Sequence, residues 1–310
     1  MLIIIDGGTT NTRLSLVSDN KILKRIKANA GAGKADLSGN NEPLKNAVKS
    51  GISELLAENN LKENDIKAVI TSGMIGSELG LYNVPHISGP ADIKKLSENM
   101  KKVIFDDISS IPFYFIPGVK FIGDDLTESD IMRGEETEFF GLDIKENQSV
   151  VAVLPGTHTK LVMGENGEIT DCVTSLSGEM LAVLSKNTIL KNSLPNPLSK
   201  NPDMEFAKKG YDFATKNGVN SALFKIRILK MFSDVTDEQL CGFFTGAVIS
   251  ADINIIKNYE NVIIGGSQPL KGVFSELTQS ASGRKPIILT DEEAETATVW
   301  GAKKIFEYNA

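Results

Sequence analysis

Asp6 closes the apolar run from Leu2 to Ile5 and is followed by Gly7, Gly8, Thr9, Thr10, Asn11, Thr12 and Arg13. A turn between two strands needs only one or two residues of this kind. Here a carboxylate, two glycines, three threonine hydroxyls and a guanidinium come together. The N–H groups of such a turn can line one concave side, and glycine lets a phosphate come close to the chain. Asp6 is placed to hold Mg²⁺ directly or through water, as Mg²⁺ usually bridges a carboxylate and phosphate oxygens. Gly8 supplies close approach, Thr9, Thr10 and Thr12 can donate to phosphate oxygens, and Arg13 can offset charge. A tight hairpin without a ligand is the competing reading of this loop taken alone.

The same chemistry returns at Pro155-Gly156-Thr157-His158-Thr159-Lys160. Gly156-Thr157-His158 answers Gly8-Thr9-Thr10, Thr159-Lys160-Leu161 answers Thr12-Arg13-Leu14, and Glu165 to Ile169 answers Ser18 to Ile22, with one residue deleted. Two copies of one strand-turn-strand unit imply two similar lobes. Two facing cradles can hold a triphosphate. Lys160 can neutralise phosphate charge, and His158, one of two histidines, sits where a ligand would touch it. Gly265 and Gly266 follow a third apolar run and could lie against an adenine or ribose ring; a plain strand-to-helix turn explains them equally well. The run Asn29 to Asp36 resembles a P-loop, but Ala28 stands at its first glycine position and Ala35 at the required Ser/Thr, so it is not one.

Acid chemistry concentrates in Asp130 to Gly141, "DIMRGEETEFFG", where Arg133 precedes Gly134, Glu135 and Glu136. Phosphoryl transfer to a hydroxyl needs a carboxylate to take its proton and cations to offset charge; the rest is positioning. Glu135 or Glu136 can serve as that base. The alternative is a helix N-terminus whose dipole favours two acids.

The elements that must position these groups follow from periodicity. Leu2 to Asp6 reads as a buried strand, Thr12 to Lys27 as a hairpin turning at Ser18 to Asn20, and Ala68 onward as a further strand. Pro43 opens a helix with Leu44, Ala47, Val48, Ile52, Leu55 and Leu56 on one face. The polar stretch 141–148 marks a boundary, giving a lobe over 1–147 with the first loop and the acidic segment, and another over 148–310 with the second loop and the Gly-Gly turn. Residues 203–257 are helical in pattern, and a small-residue helix with Ala294, Ala297 and Gly301 ends the chain.

The 310 residues exceed what one core usually serves. A net charge of −7 argues against nucleic acid or an acidic membrane surface as partner. Cys172 and Cys241 are far apart and read as reduced thiols. Absence of a leader pattern and of a long uncharged run predicts a cytoplasmic protein. Oligomeric state is left open, a homo-oligomer included.

The order of phosphate loop, second phosphate loop, Gly-Gly loop and small-residue helix is similar to the sugar kinase, heat-shock ATPase and actin superfamily. That resemblance implies an α/β fold of two ribonuclease-H-like lobes of mixed sheet with flanking helices and a nucleotide cleft between them. "MRGEET" at 132–137, "PGTHTK" at 155–160 and "SGMIGS" at 72–77 together resemble the 2-dehydro-3-deoxygalactonokinase family, with "IPGV" at 116–119 and "SGEML" at 177–181 in matching places. Gly7 and Leu161 stand where that family often has aromatic residues. The family phosphorylates the 6-hydroxyl of 2-dehydro-3-deoxy-D-galactonate with ATP and Mg²⁺ in D-galactonate catabolism. A sugar-acid substrate calls for a cation at its carboxylate, and Arg133 is the first choice, Arg13 the second. An exopolyphosphatase-like phosphohydrolase of the same superfamily and a nonenzymatic actin-like nucleotide-binding protein are the alternatives.

Overall fold

Four consecutive apolar residues, Leu2 to Ile5, are all buried, as expected of a strand covered on both faces rather than of a half-exposed one. They form β1 (Leu2–Gly7), the third strand of a six-stranded sheet. The computed structural model describes residues 1–34, 41–144 and 148–309. Ala35 and Asp36, which end the P-loop-like run, and residues 145–147 of the expected boundary stretch lie outside the described residues.

The chain divides into two units, the first being Met1–Glu146 with Gly167–Asp171 and Thr296–Ala310, the second Asn147–Asn166 with Cys172–Glu295. Residues 296–310, taken with the C-terminal half on sequence grounds, thus group with the first. After β1 the first unit continues through β2 (Thr12–Ser18), β3 (Lys21–Ala28), α1 (Glu42–Glu58), β4 (Ala68–Gly73), β5 (Ile87–Ser88), α2 (Ile93–Glu98), β6 (Lys101–Phe105), β7 (Ser109–Phe115), β8 (Val119–Phe121), β9 (Asp130–Met132) and α3 (Glu135–Gly141). Its main sheet runs β3-β2-β1-β4-β7-β6. The hairpin turns at Asp19, φ 51°, and Leu44, Val48, Ile52 and Leu55 of α1 pack on the core beside Ile3, Ile5, Leu14 and Leu16.

The rest of the chain comprises β10 (Val150–Leu154), β11 (Thr159–Glu165), β12 (Glu168–Ser175), α4 (Ser177–Asn187), α5 (Met204–Asn217), α6 (Val219–Phe232), α7 (Asp237–Val248), α8 (Ser250–Ile256), β13 (Asn261–Ile264), α9 (Leu270–Ser282), β14 (Ile287–Ile288) and α10 (Asp291–Glu307). The second sheet runs β12-β11-β10-β13-β14. Asn166 and Gly167 both have positive φ, 54° and 83°, the backbone that a tight two-residue hairpin requires.

The two sheets repeat one plan. In each, a central strand pairs antiparallel with the next strand and parallel with a later one: β1 with β2 and β4, β10 with β11 and β13. Asp6 lies opposite Arg13 and Leu154 opposite Lys160, so the strand ends superpose in register and the internal repeat is architectural. Cys172 and Cys241 are buried thiols. Among the described residues no single helix is long and apolar enough to cross a membrane.

Helix α3 is held against α10 by glycine. A Cβ on Gly141 would lie 1.7 Å from the Ala297 carbonyl oxygen, and one on Gly301 1.8 Å from that of Thr137. Two backbones in such contact have no room for a side chain. Gly301→Val is therefore expected to destabilise the protein by about 3 kcal/mol, an overpacking cost, read as a lowered urea midpoint. It should also lower kcat, because α3 carries the acidic segment.

Candidate active site

Strands β1 and β4 run parallel, with Asp6 beside Ser72 and Gly7 beside Gly73. Their carboxyl ends are where ligands of open α/β sheets bind. Gly73 has φ +84°, and a Cβ there would lie 2.5 Å from the Gly7 carbonyl oxygen. Gly134, φ +113°, also comes close, its Cβ position 3.1 Å from Gly73 Cα. Glycine is thus required for the N-terminus of α3 to reach the ends of the two strands. Ser72 Oγ donates to Thr137 Oγ1 at 2.7 Å and pins the contact from below.

Three acids occupy the first turn of α3. Glu135 Oε2 accepts from the Arg133 N–H at 3.0 Å. Glu136 is fully buried, and its carboxylate accepts from Gly134 N–H at 2.9 and 2.8 Å and from Thr137 Oγ1 at 3.1 Å. It closes its own helix end. Burial, aided by the charge of Glu135, pushes its pKa up to about 7. Glu138, which the sequence analysis missed, is pushed up to about 8 by removal from water and by the charges of Glu135 and Asp6, with Arg13 opposing. The signal available in sequence was its i, i+3 spacing from Glu135, which shares a helix face.

The sign of the Glu136 shift sets a pH dependence. Between the usual 4.5 and about 7 the folded chain keeps a proton that the unfolded chain has lost. Its stabilising effect is complete below 4.5 and is lost as pH rises to about 7, roughly 3 kcal/mol in all. Glu136→Gln should remove this part of the decline, so that urea unfolding of the variant falls less between pH 5 and 8 than that of the parent.

Asp6 is partly exposed and pairs with Arg13, Oδ2 to Nη1 at 2.9 Å. In the loop beyond it Gly8 N–H donates to Asn11 O at 2.9 Å, and Thr9 and Thr10 are exposed. Thr12 differs from the expectation: it is fully buried and donates to Ala30 O at 2.6 Å, so it fastens the loop and has no hydroxyl for a phosphate. The P-loop-like run has a use of its own. Ala32 N–H donates to Gly8 O at 3.1 Å and Gly33 N–H to Thr9 O at 2.9 Å, while a Cβ on Gly31 would fall 2.6 Å from Gly8 O and Thr10 N. It buttresses the first loop.

The second loop is built alike. Gly156, Thr157 and His158 are exposed. Glu179 N–H donates to Thr157 O at 2.8 Å, and a Cβ on Gly178 would lie 1.9 Å from Gly156 O. His158 Nε2 is 3.3 Å from Glu179 Oε2. Lys160 is buried, its ammonium donating to Thr174 Oγ1. Gly265 N–H bonds Val153 O at 2.9 Å, and Gly266, φ +75°, abuts the Pro155 carbonyl, its Cβ position 2.8 Å away. The Gly-Gly turn therefore lies beside the second loop, at the carboxyl ends of β10 and β13.

The Arg133 guanidinium bonds carbonyls of the segment that follows β4. Nη1 donates to Gly76 O at 2.8 Å, Nη2 to Val84 O at 2.7 Å, and Nη2 lies 3.2 Å from His86 Nδ1. It ties the segment after Ser72-Gly73 to the start of α3. Among the described residues no group of three or more His, Cys, Asp or Glu side chains could hold a metal. Mg²⁺ takes one or two carboxylates and fills its remaining positions with phosphate and water, so Asp6 is the residue that would hold it. The charges of Glu135 and Asp6 both help to raise the pKa of Glu138, so these acids lie near one another.

The chain is 28% identical over 263 residues to 2-dehydro-3-deoxygalactonokinase of Escherichia coli strain K12, a match spanning 83% of this chain and 80% of that one. A solved structure from Sinorhizobium meliloti, described as a 2-dehydro-3-deoxygalactonokinase, superposes with a TM-score of 0.81 at 19% identity over 100% of this chain and 99% of that one. The activator of 2-hydroxyisocaproyl-CoA dehydratase from Clostridium difficile, solved with bound ADPNP, gives a TM-score of 0.50 at 13% identity over 99% and 94% of the two chains. At such identities the two structures show the fold alone, a mixed α/β fold with flanking helices. The model of the 2-keto-3-deoxy-galactonokinase family matches residues 6–302, and the chain belongs to that family of kinase enzymes.

Proposed function

We propose that the protein transfers the γ-phosphoryl group of ATP to the 6-hydroxyl of 2-dehydro-3-deoxy-D-galactonate, in the cytoplasm, as a step of D-galactonate catabolism. The observation that carries the reading is the meeting of Asp6 with the acidic first turn of α3 at the ends of two parallel strands. In this reading the N–H groups and hydroxyls of Thr9, Thr10, Gly156 and Thr157 hold phosphate oxygens, Gly8, whose N–H closes the loop onto Asn11 O, only lets a phosphate come close, and Gly265 and Gly266 lie against the nucleoside. Asp6 holds Mg²⁺, which when bound offsets the charge of the phosphates.

The three acids of α3 divide by environment, as acid and base pairs do in other active sites. Removal from water and the charges of Glu135 and Asp6 favour the protonated form of Glu138, and Glu136 is consumed in closing the helix. Glu135, whose charge raises both, is the carboxylate left to accept the hydroxyl proton. Arg13 and His158 are exposed and suit the substrate carboxylate and phosphate charge. Arg133 supports them by holding the segment from Gly76 to Val84.

ADP release from ATP and Mg²⁺, measured with and without 2-dehydro-3-deoxy-D-galactonate and beside its gluconate epimer, tests the reading. ADP should form only with an acceptor, and faster with the galactonate compound. Phosphate release that ignores both sugar acids would replace the kinase with a hydrolase.

A further inference from the structure

Asp252 lies in the first turn of α8 and is 3% exposed. Its carboxylate accepts from the side chains of Ser175 and Ser177. Its other oxygen, Oδ2, is buried and has no hydrogen-bond partner among the described residues. Burial pushes its pKa up, the mark of a charge the fold holds at a cost. A leucine would fill similar space without that cost, so stability does not account for the carboxyl.

The serines it holds lead to the second loop. Ser177 Oγ is 2.7 Å from Thr159 Oγ1, and both residues are buried. Ser177 N–H donates to Ser175 Oγ at 3.2 Å. Ser177 is followed by Gly178, whose bare Cα lies under Gly156 O, and by Glu179, whose N–H bonds Thr157 O. A carboxylate can only accept, so Ser177 donates to it and is left to accept from Thr159. The chain of hydroxyls acquires one direction.

The first loop reaches the same end differently. Thr12, the counterpart of Thr159, donates to the carbonyl of Ala30, an acceptor fixed by the backbone. Behind the second loop the counterpart acceptor is a serine hydroxyl, which can turn either way. Asp252 supplies the fixed acceptor that the backbone supplies in the first.

We propose that Asp252, through Ser175 and Ser177, is a positioning residue for the second Gly/Thr loop and sets its affinity for the phosphates of ATP. This rests on the reading of that loop as a phosphate site. The test is ATP binding by calorimetry together with separate KM values for ATP and the sugar acid, in the parent, Asp252→Leu, Asp252→Asn and Ser177→Ala, with a melting curve for each.

Asp252→Leu should fold and raise both Kd and KM for ATP about tenfold, the loss expected for one hydrogen-bonded anchor, with KM for the sugar acid held within about twofold. Asp252→Asn, which keeps an acceptor oxygen for the serines, should recover most of that affinity. Ser177→Ala should shift the same way and decides the matter if the leucine variant does not fold. A folded Asp252→Leu with parental ATP affinity overturns the proposal, as does an equal rise in KM for both substrates. A parent protein that binds no ATP overturns the nucleotide reading itself, and the proposal with it.

Discussion

Asp6→Ala is expected to lower kcat by about 10³-fold or more while the protein melts at the parental temperature. The two halves of this result have separate causes. Asp6 contributes to the fold mainly through its backbone, which pairs β1 with β2 and β4, and alanine leaves those hydrogen bonds in place. Its side chain makes one partly exposed ion pair with Arg13, and pairs of that kind contribute little to stability. Catalysis is another matter. If Asp6 holds Mg²⁺ as proposed, it would offset charge that develops during transfer, and losing several kcal/mol there would cost several powers of ten in rate. Removing the Asp6 charge should also ease the ionisation of Glu138, whose upward shift it helps to cause. Parental turnover in the alanine variant would end the metal role; a large fall in melting temperature would make Asp6 a structural residue instead.

Much of the architecture is legible in the residues because it is local. The strand-turn-strand unit repeats at Asp6 and Leu154, and a short apolar run, a Gly/Thr turn and a second run can be read without knowing what lies across the sheet. Parallel partners follow from the same plan, since β4 and β13 are themselves short, largely apolar runs, the first ending in glycine and the second followed by it. The small residues of the last helix were equally visible, although not the reason for them, the contact of Gly301 with Thr137.

Side-chain roles were less legible, because each depends on a partner far along the chain. Thr12 looks like a phosphate donor until Ala30 takes its hydroxyl. Arg133 reads as a substrate cation, and what the sequence does not show is that the carbonyls of Gly76 and Val84 hold two of its nitrogens. Lys160 sits in a loop motif, yet Thr174 on the neighbouring strand holds it inward. Gly31 and Gly33 belong to a run that the sequence already excludes as a P-loop, and only packing reveals its use, the backing of the first loop. In each case residue type limits what a group can do, and packing decides which of those things it does.

The acids of α3 give the second large effect. Glu135→Gln is expected to lower kcat by about 10² to 10⁴-fold, the usual contribution of a positioned general base, with little change in KM for ATP. Gln retains the shape and can still accept from the Arg133 N–H, so the helix end should survive. Glu136→Gln should cost far less, since the role of Glu136 is to accept from Gly134 and Thr137 inside the fold and an amide oxygen can do the same. The pH profile separates the acids further. Loss of the Glu135 charge removes one cause of the upward shifts of Glu136 and Glu138, so whatever alkaline limb the parent shows should move to lower pH in the Glu135 variant. A rate loss confined to Glu136→Gln would transfer the base to the buried acid and require the end of α3 to open during turnover. Near-parental rates for Glu135→Gln, Glu136→Gln and Glu138→Gln would take all three out of the proton transfer and leave phosphoryl positioning by the two loops as the source of the rate.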